Sequence, residues 1–188
     1  MSAMTFDFLD KKRRARRNAE AGMPAPSWGG RLAVALVYPN TYFHGMSNLG
    51  FQFVHHFLNS RQGTLCERFF LPDPQDAALA AGKKPALAAL ESGRPLADFD
   101  LICFSISFEN DYINLPRIFD LGRIPLFAAE RGERHPLVVC GGVTAFLNPE
   151  PVAEIMDIFA VGEGEVLLPV MIEALLEGGG REDILRRL

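Results

Sequence analysis

The sequence predicts an α/β fold: a doubly wound, mainly parallel sheet of five strands in the order 2-1-3-4-5. Three observations carry this. Residues 136–140 (Pro-Leu-Val-Val-Cys) and 157–161 (Asp-Ile-Phe-Ala-Val) are short apolar runs, rich in β-branched residues. Both end in glycine, at Gly141-Gly142 and at Gly162, and both precede a helix-start signal. Residues 32–38 (Leu-Ala-Val-Ala-Leu-Val-Tyr) are apolar almost throughout, as a strand covered on both faces should be. Parallel strands place all these turns at one edge, where open α/β sheets bind their ligands.

Taken in order, residues 1–30 read as an arm and linker. Phe6, Phe8 and Leu9 precede a basic run, and residues 22–30 are rich in Gly, Pro and Ala. The α/β domain spans 31–177. After the first strand, a loop over 39–45 leads to a helix over 47–59, capped by Ser47. Leu49, Phe53, Val54, Phe57 and Leu58 are expected on its buried face, with Gly50 allowing close approach to the sheet. The second strand is expected over 65–70, although charged residues interrupt it. Residues 72–99 form an irregular excursion with a short helix around 76–81; residues 85–91 fit helix and strand equally. The third strand is 100–105, continuing to Ser107. Pro116 suits the first turn of a helix capped by Asn114 and closed by Gly122. Asn148-Pro149 is a preorganised helix start, and the last helix of the domain runs over 165–177. Residues 178–188 begin with three glycines and resume a helical pattern that stops midway. The expectation is a domain cut from something longer.

The composition, 48% hydrophobic and 22% charged in 188 residues, excludes disordered and collagen-like classes. No apolar run is long enough for a bilayer, and the N-terminus lacks a signal peptide's apolar region. The expectation is a cytoplasmic protein with no membrane partner. Six basic residues crowd into 11–17; of 19 Lys+Arg this leaves 13 against 23 Asp+Glu. An acidic body with a basic run poor in aromatics argues against nucleic acid and for a solvated terminal helix.

Cys66, Cys103 and Cys140 lie far apart in predicted strands, which suits buried thiols and offers no metal site. The histidines do not converge: His55 and His56 read as surface residues, and only His44 lies on a ligand-facing loop. No nucleophile, base and orienter assemble, so this chain alone does not read as a complete enzyme. Gly162-Glu163-Gly164-Glu165 partly matches a dinucleotide fingerprint, but its carboxylates stand where a pyrophosphate needs a bare helix end. Ser105, Ser107 and Glu109 would line the end of the third strand, and Gly141-Gly142 would let a flat ligand approach. Glycine pairs also make tight turns with nothing bound.

These residues carry a resemblance. The Gly141-Gly142 strand end, then Asn148-Pro-Glu-Pro151, then Asp157-Ile-Phe-Ala-Val-Gly-Glu-Gly-Glu165 resembles the cobalamin-binding-type N-terminal domain of many radical S-adenosylmethionine (SAM) enzymes. Residues 37–50 and 99–110 are similar to a subgroup of uncharacterised radical SAM proteins. The resemblance implies a cobalamin-binding or flavodoxin-like fold over 31–177. It also implies a partner, a C-terminal barrel carrying a [4Fe–4S] cluster and SAM, which this chain lacks because no C-x-x-x-C-x-x-C motif is present. Cobalamin is a candidate cofactor. The cobalt-ligating D-x-H-x-x-G window falls on Asn40-Thr41-Tyr42-Phe-His44-Gly45, where Tyr42 replaces the histidine and His44 is out of register. The alternatives are a vestigial docking sheet, with a crevice plugged by Tyr42, Phe43 or Phe108, and a flavodoxin-like flavin or nucleotide carrier. The last needs phosphate donors after the first strand, where Thr41 is the only hydroxyl before Tyr42.

Overall fold

The computed structural model describes residues 2–21, 27–79 and 86–188. A long helix α1 (Ser2–Ala19) precedes β1 (Leu32–Thr41), α2 (Tyr42–Met46), α3 (Leu49–Ser60), β2 (Thr64–Leu71) and α4 (Pro74–Leu79). Then follow β3 (Leu101–Ser105), α5 (Leu115–Gly122), β4 (Leu137–Gly141), α6 (Val143–Leu147), β5 (Ile158–Phe159), α7 (Gly164–Leu176) and α8 (Arg181–Arg187). The five strands form one sheet in the order β2-β1-β3-β4-β5, and each neighbouring pair is parallel. The predicted order and direction are those found.

Period-two alternation sorts the sheet's side chains between two cores. Ala33, Ala35, Val37, Ile102, Phe104, Val138 and Cys140 face α5 and the 87–99 segment. Val34, Leu36, Tyr38, Cys66, Leu101, Cys103 and Val139 face α3, α7 and α8 on the other side. Pro39 would break a ladder in a central strand, but the β1–β2 register shifts between Tyr38 and Thr41, so it sits in a bulge.

Several expectations need correction. Ser47 does not cap the helix after β1. Asn48 does, its side chain accepting from the Phe51 amide at 2.9 Å, while the Ser47 hydroxyl donates to the His44 carbonyl. That cap sets the frame of α3 so that Phe51 and Leu58 face the sheet. Leu49 is left 80% exposed, and Gly50 faces outward with room beside it. The loop expected over 39–45 is the end of β1 and the start of α2. The charges that interrupt β2 are buried within it: Glu67 and Arg68 are 1% and 5% exposed. Residues 86–91 are neither helix nor strand, apart from a bridge between Ala88 and Pro95. They run along the outer edge of β2, where the Leu90 amide donates to the Arg68 carbonyl at 2.8 Å and covers the strand's free side. Ala81 and Pro85, like residues 22–26 of the predicted linker, lie outside the described residues.

The left-handed residue after α5 is Arg123, at φ 56°, and not Gly122, whose lack of a side chain instead admits Leu96. Asn148-Pro149 opens a single 3-10 turn (Glu150–Val152) in place of a helix, because the Asn148 side chain donates to Glu109 instead of capping. Nor is the basic run a solvated face. Lys12 pairs with Asp73 at 2.9 Å and Asp76 at 2.6 Å, Arg16 with Asp73 at 2.6 Å, and Arg13 donates to the Leu90 and Glu91 carbonyls.

Candidate functional site

The ends of β1, β3, β4 and β5 meet along the carboxyl edge, and side-chain amides bind their turns together. Asn40 donates to Asp111 at 2.8 Å, Asn48 to Ser107 at 2.9 Å, Asn114 to the Pro39 carbonyl at 2.9 Å and Asn148 to Glu109 at 2.7 Å. Asp111 is 5% exposed; burial pushes its carboxyl up, against the pull of the Asn40 donor. The turn after β4 folds back on the turn after β3. The Ile106 amide donates to the Gly141 carbonyl at 3.0 Å, and the Thr144 hydroxyl donates to the Ile106 carbonyl at 2.9 Å. Gly142 takes φ +97°, and a Cβ there would lie 2.5 Å from the Ile106 oxygen. Only glycine fits that corner.

Between the amino-terminal ends of α3 and α7, the sheet is left uncovered as an open groove of about 940 Å³. That is the size range of small-molecule sites. Its floor is Leu36, Cys103 and Val139; its walls include Leu49 and Phe53 of α3, Val143 and Phe146 of α6, and Leu167 and Leu168 of α7. Of the residues singled out in the sequence, Ser105, Ser107, Gly141, Gly142, Gly162, Glu163, Gly164 and Glu165 line it.

Asn40, Thr41, Tyr42, His44, Gly45 and Glu109 do not. The Thr41 hydroxyl and His44 Nδ1 pair with each other at 2.8 Å. Gly45 is buried, with the Phe70 ring against the place a Cβ would take. Tyr42 faces the arm: its hydroxyl donates to Glu20 at 2.8 Å, Arg16 lies 4.9 Å over its ring, and the ring packs edge-on against Phe70. Burial, then the Glu20 carboxylate, pushes its phenol up to about 12. Glu20 also pairs with Arg68 at 2.5 Å, Arg68 with Glu91 at 2.7 Å, and Glu91 lies 3.5 Å from His55. His55 is therefore no surface residue. Burial first, and the Arg68 guanidinium second, hold its imidazole down to about 3.

Groove residues that the sequence does not mark as ligand-facing include Asn48, Leu49, Phe53, Cys103, Val143 and Phe146. The helical pattern assigns Leu49 and Phe53 to a buried side, so their exposure is the missed signal. Cys66 and Cys103 belong to the α3–α7 face and Cys140 to the opposite one, so the three thiols share no site. Burial raises Cys103 and Cys140 to about 12, leaving both protonated. Among the described residues no group of three His, Cys, Asp or Glu side chains could hold a metal ion. Nor is any described helix long and apolar enough to cross a membrane.

An uncharacterised protein of Methanocaldococcus jannaschii is 27% identical to this chain over 142 residues, covering 73% of the chain and 26% of that protein. The chain thus spans about a quarter of that relative's length. The family model for radical SAM proteins, N-terminal, matches residues 50–188, which takes in nearly all of α3, all of β2 to β5 and both closing helices. With its parallel sheet and glycine-cornered carboxyl edge, this chain belongs to the N-terminal domain family of radical SAM proteins.

Proposed function

We propose that this chain is a cobalamin-domain-like module that sits against a C-terminal [4Fe–4S]/SAM barrel of a longer cytoplasmic protein and holds a cofactor or part of a substrate toward it. The observation that carries this is the uncovered strip of sheet at the carboxyl edge, rimmed by side chains a monomer would normally bury. Phe43, Leu49, Phe108, Ile113, Phe146 and Leu147 are all more than half exposed along that edge. Apolar side chains grouped in this way mark a contact surface.

Cobalamin is the cofactor to test first. The residues present do not fit cobalt ligation, because Tyr42 and His44 are committed to Glu20 and Thr41 and neither borders the groove. The groove can take only the organic periphery of such a molecule, against Leu36, Cys103 and Val139 and beside the unobstructed Gly141. When bound, cobalamin supplies methyl-transfer or radical chemistry; this chain's residues supply shape and exclude water. Titration of the chain with hydroxocobalamin should shift the visible spectrum and give a coloured species on gel filtration. An unchanged spectrum with no co-elution removes cobalamin from the proposal.

A second reading, a sheet that only docks the catalytic domain, is favoured by the same exposed rim. It requires a crevice plugged by Tyr42, Phe43 or Phe108, and none of these lines the groove. Amide exchange separates the readings. Both give slower exchange across α6 in the full-length protein than in this chain alone, but only the first gives further slowing with added cofactor. The flavin carrier fares worst, since the Thr41 hydroxyl is spent on His44.

A further inference from the structure

We propose that the groove selects by charge. It takes a largely apolar, ring-bearing small molecule that is neutral or positively charged overall, and it turns away those with a net negative charge, such as phosphate monoesters. This rests on reading the groove as a ligand site.

Among the described residues, no Lys, Arg or His lines the groove. Its charged groups are Glu163 and Glu165, both exposed, and among the described residues neither side chain meets a hydrogen-bond or ion-pair partner. An anion could still be held by backbone amides at a helix end, but both longer helices that open on the groove disfavour one there. At α3 the Asn48 side chain already accepts from the Phe51 amide. At α7 the two carboxylates stand in the first turn and beside it, where their charge offsets the positive end of the helix. At the glycine corner the Thr144 and Ala145 amides already donate to the Ile106 and Gly142 carbonyls.

Three buried or half-buried arginines elsewhere are equally committed. Arg68 is held by Glu20 and Glu91, and Arg131 and Arg181 are held by Asp157. What remains is an apolar floor with a polar margin. The Ser105 hydroxyl borders the groove without a partner among the described residues, ready for one hydrogen bond to a ring substituent. An incoming cation gains from the two carboxylates at the mouth; a phosphate monoester meets them as like charges with no cationic side chain in the lining to compensate.

The test uses the intact chain at low salt and three fluorescent probes: thioflavin T (cationic), Nile red (neutral) and 1-anilinonaphthalene-8-sulfonate (anionic). Thioflavin T and Nile red should compete for one site, with the anionic probe binding about tenfold more weakly than thioflavin T. The double variant Glu163→Gln/Glu165→Gln alters only exposed side chains, so folding should be unaffected. It should weaken thioflavin T about three- to tenfold and strengthen the anionic probe by a similar factor, an effect that salt abolishes in the parent chain. Probes that bind without regard to charge, or a double variant that changes neither, would overturn the charge selection and leave the site standing. If no probe binds at all, the site reading falls and this inference with it.

Discussion

At the β2 end of the carboxyl edge, charges are buried and paired; at the β4–β5 end, apolar side chains stand in water and, among the described residues, Glu163 and Glu165 meet no partner. Arg68, its side chain 6% exposed, is gripped by Glu20 from the arm and Glu91 from the segment along the strand, and Tyr42 joins through Glu20. Across the sheet, Phe146 is 70% and Val166 67% exposed, with Glu163 and Glu165 unpaired nearby among the described residues. Both ends use the same scaffold of strand, turn and helix. The difference teaches where each end's interactions are completed: within the chain at one end, by something added to it at the other. Breaking the first should cost stability, and altering the second should cost binding.

The sharpest way to break this contrast is Arg68→Met. Removing the guanidinium leaves Glu91 buried without its ion-pair partner, and urea unfolding should show a loss of about 3–5 kcal/mol. A loss below about 1 kcal/mol would mean that the paired end is not what holds the edge together. Gly142→Ala tests the corner shared by both ends. A Cβ forced against the Ile106 oxygen at positive φ should cost about 2–3 kcal/mol in the same assay and should also impair groove probes.

The pH dependence comes next. His55 titrates near 6.5 when unfolded and about 3 when folded. Between those values the unfolded chain binds a proton that the folded chain refuses, so stability falls as pH drops from about 6.5 toward 3. This one group contributes a slope of at most about 1.4 kcal/mol per pH unit. Glu91, Arg68, His56 and Arg17 all act on it, and His55→Gln should flatten this part of the profile. Tyr42→Phe should cost only about 1 kcal/mol, the worth of one hydrogen bond, and should leave hydroxocobalamin titration unchanged because Tyr42 lies off the groove. Smallest in stability is Phe146→Ser, expected within about 0.5 kcal/mol of the parent chain. It should nevertheless weaken Nile red, and this separation of stability from binding would sharpen the contrast most.

The strand order and the gathering of the turns are legible in the sequence because continuous apolar runs closed by glycine leave few arrangements of a parallel sheet. The groove is half legible. Its small residues, Ser105, Gly141, Gly142 and Gly164, are marked by their place after strands. Its walls are not, since Leu49, Phe51, Phe53, Val54, Phe57 and Leu58 put apolar groups on several sides of one helix. Only the Asn48 cap decides which of them face the sheet. The loop after β1 misleads for a different reason: Tyr42 answers to Glu20 and Arg16, which lie far back along the chain in the arm. Nor does anything near Glu67 and Arg68 mark them as interior; their partners include Trp28, Ser92, Glu20 and Glu91.

The clasp between arm and edge strand turns the N-terminus into its own reporter. Six Lys and Arg between 11 and 17 give trypsin a run of cutting sites, wound into a helix whose Lys12, Arg13 and Arg16 are fastened to the body. The protease needs that stretch unwound, so the rate of nicking reads out how often the arm lets go. A gel lane taken over a salt series would follow that opening without any label.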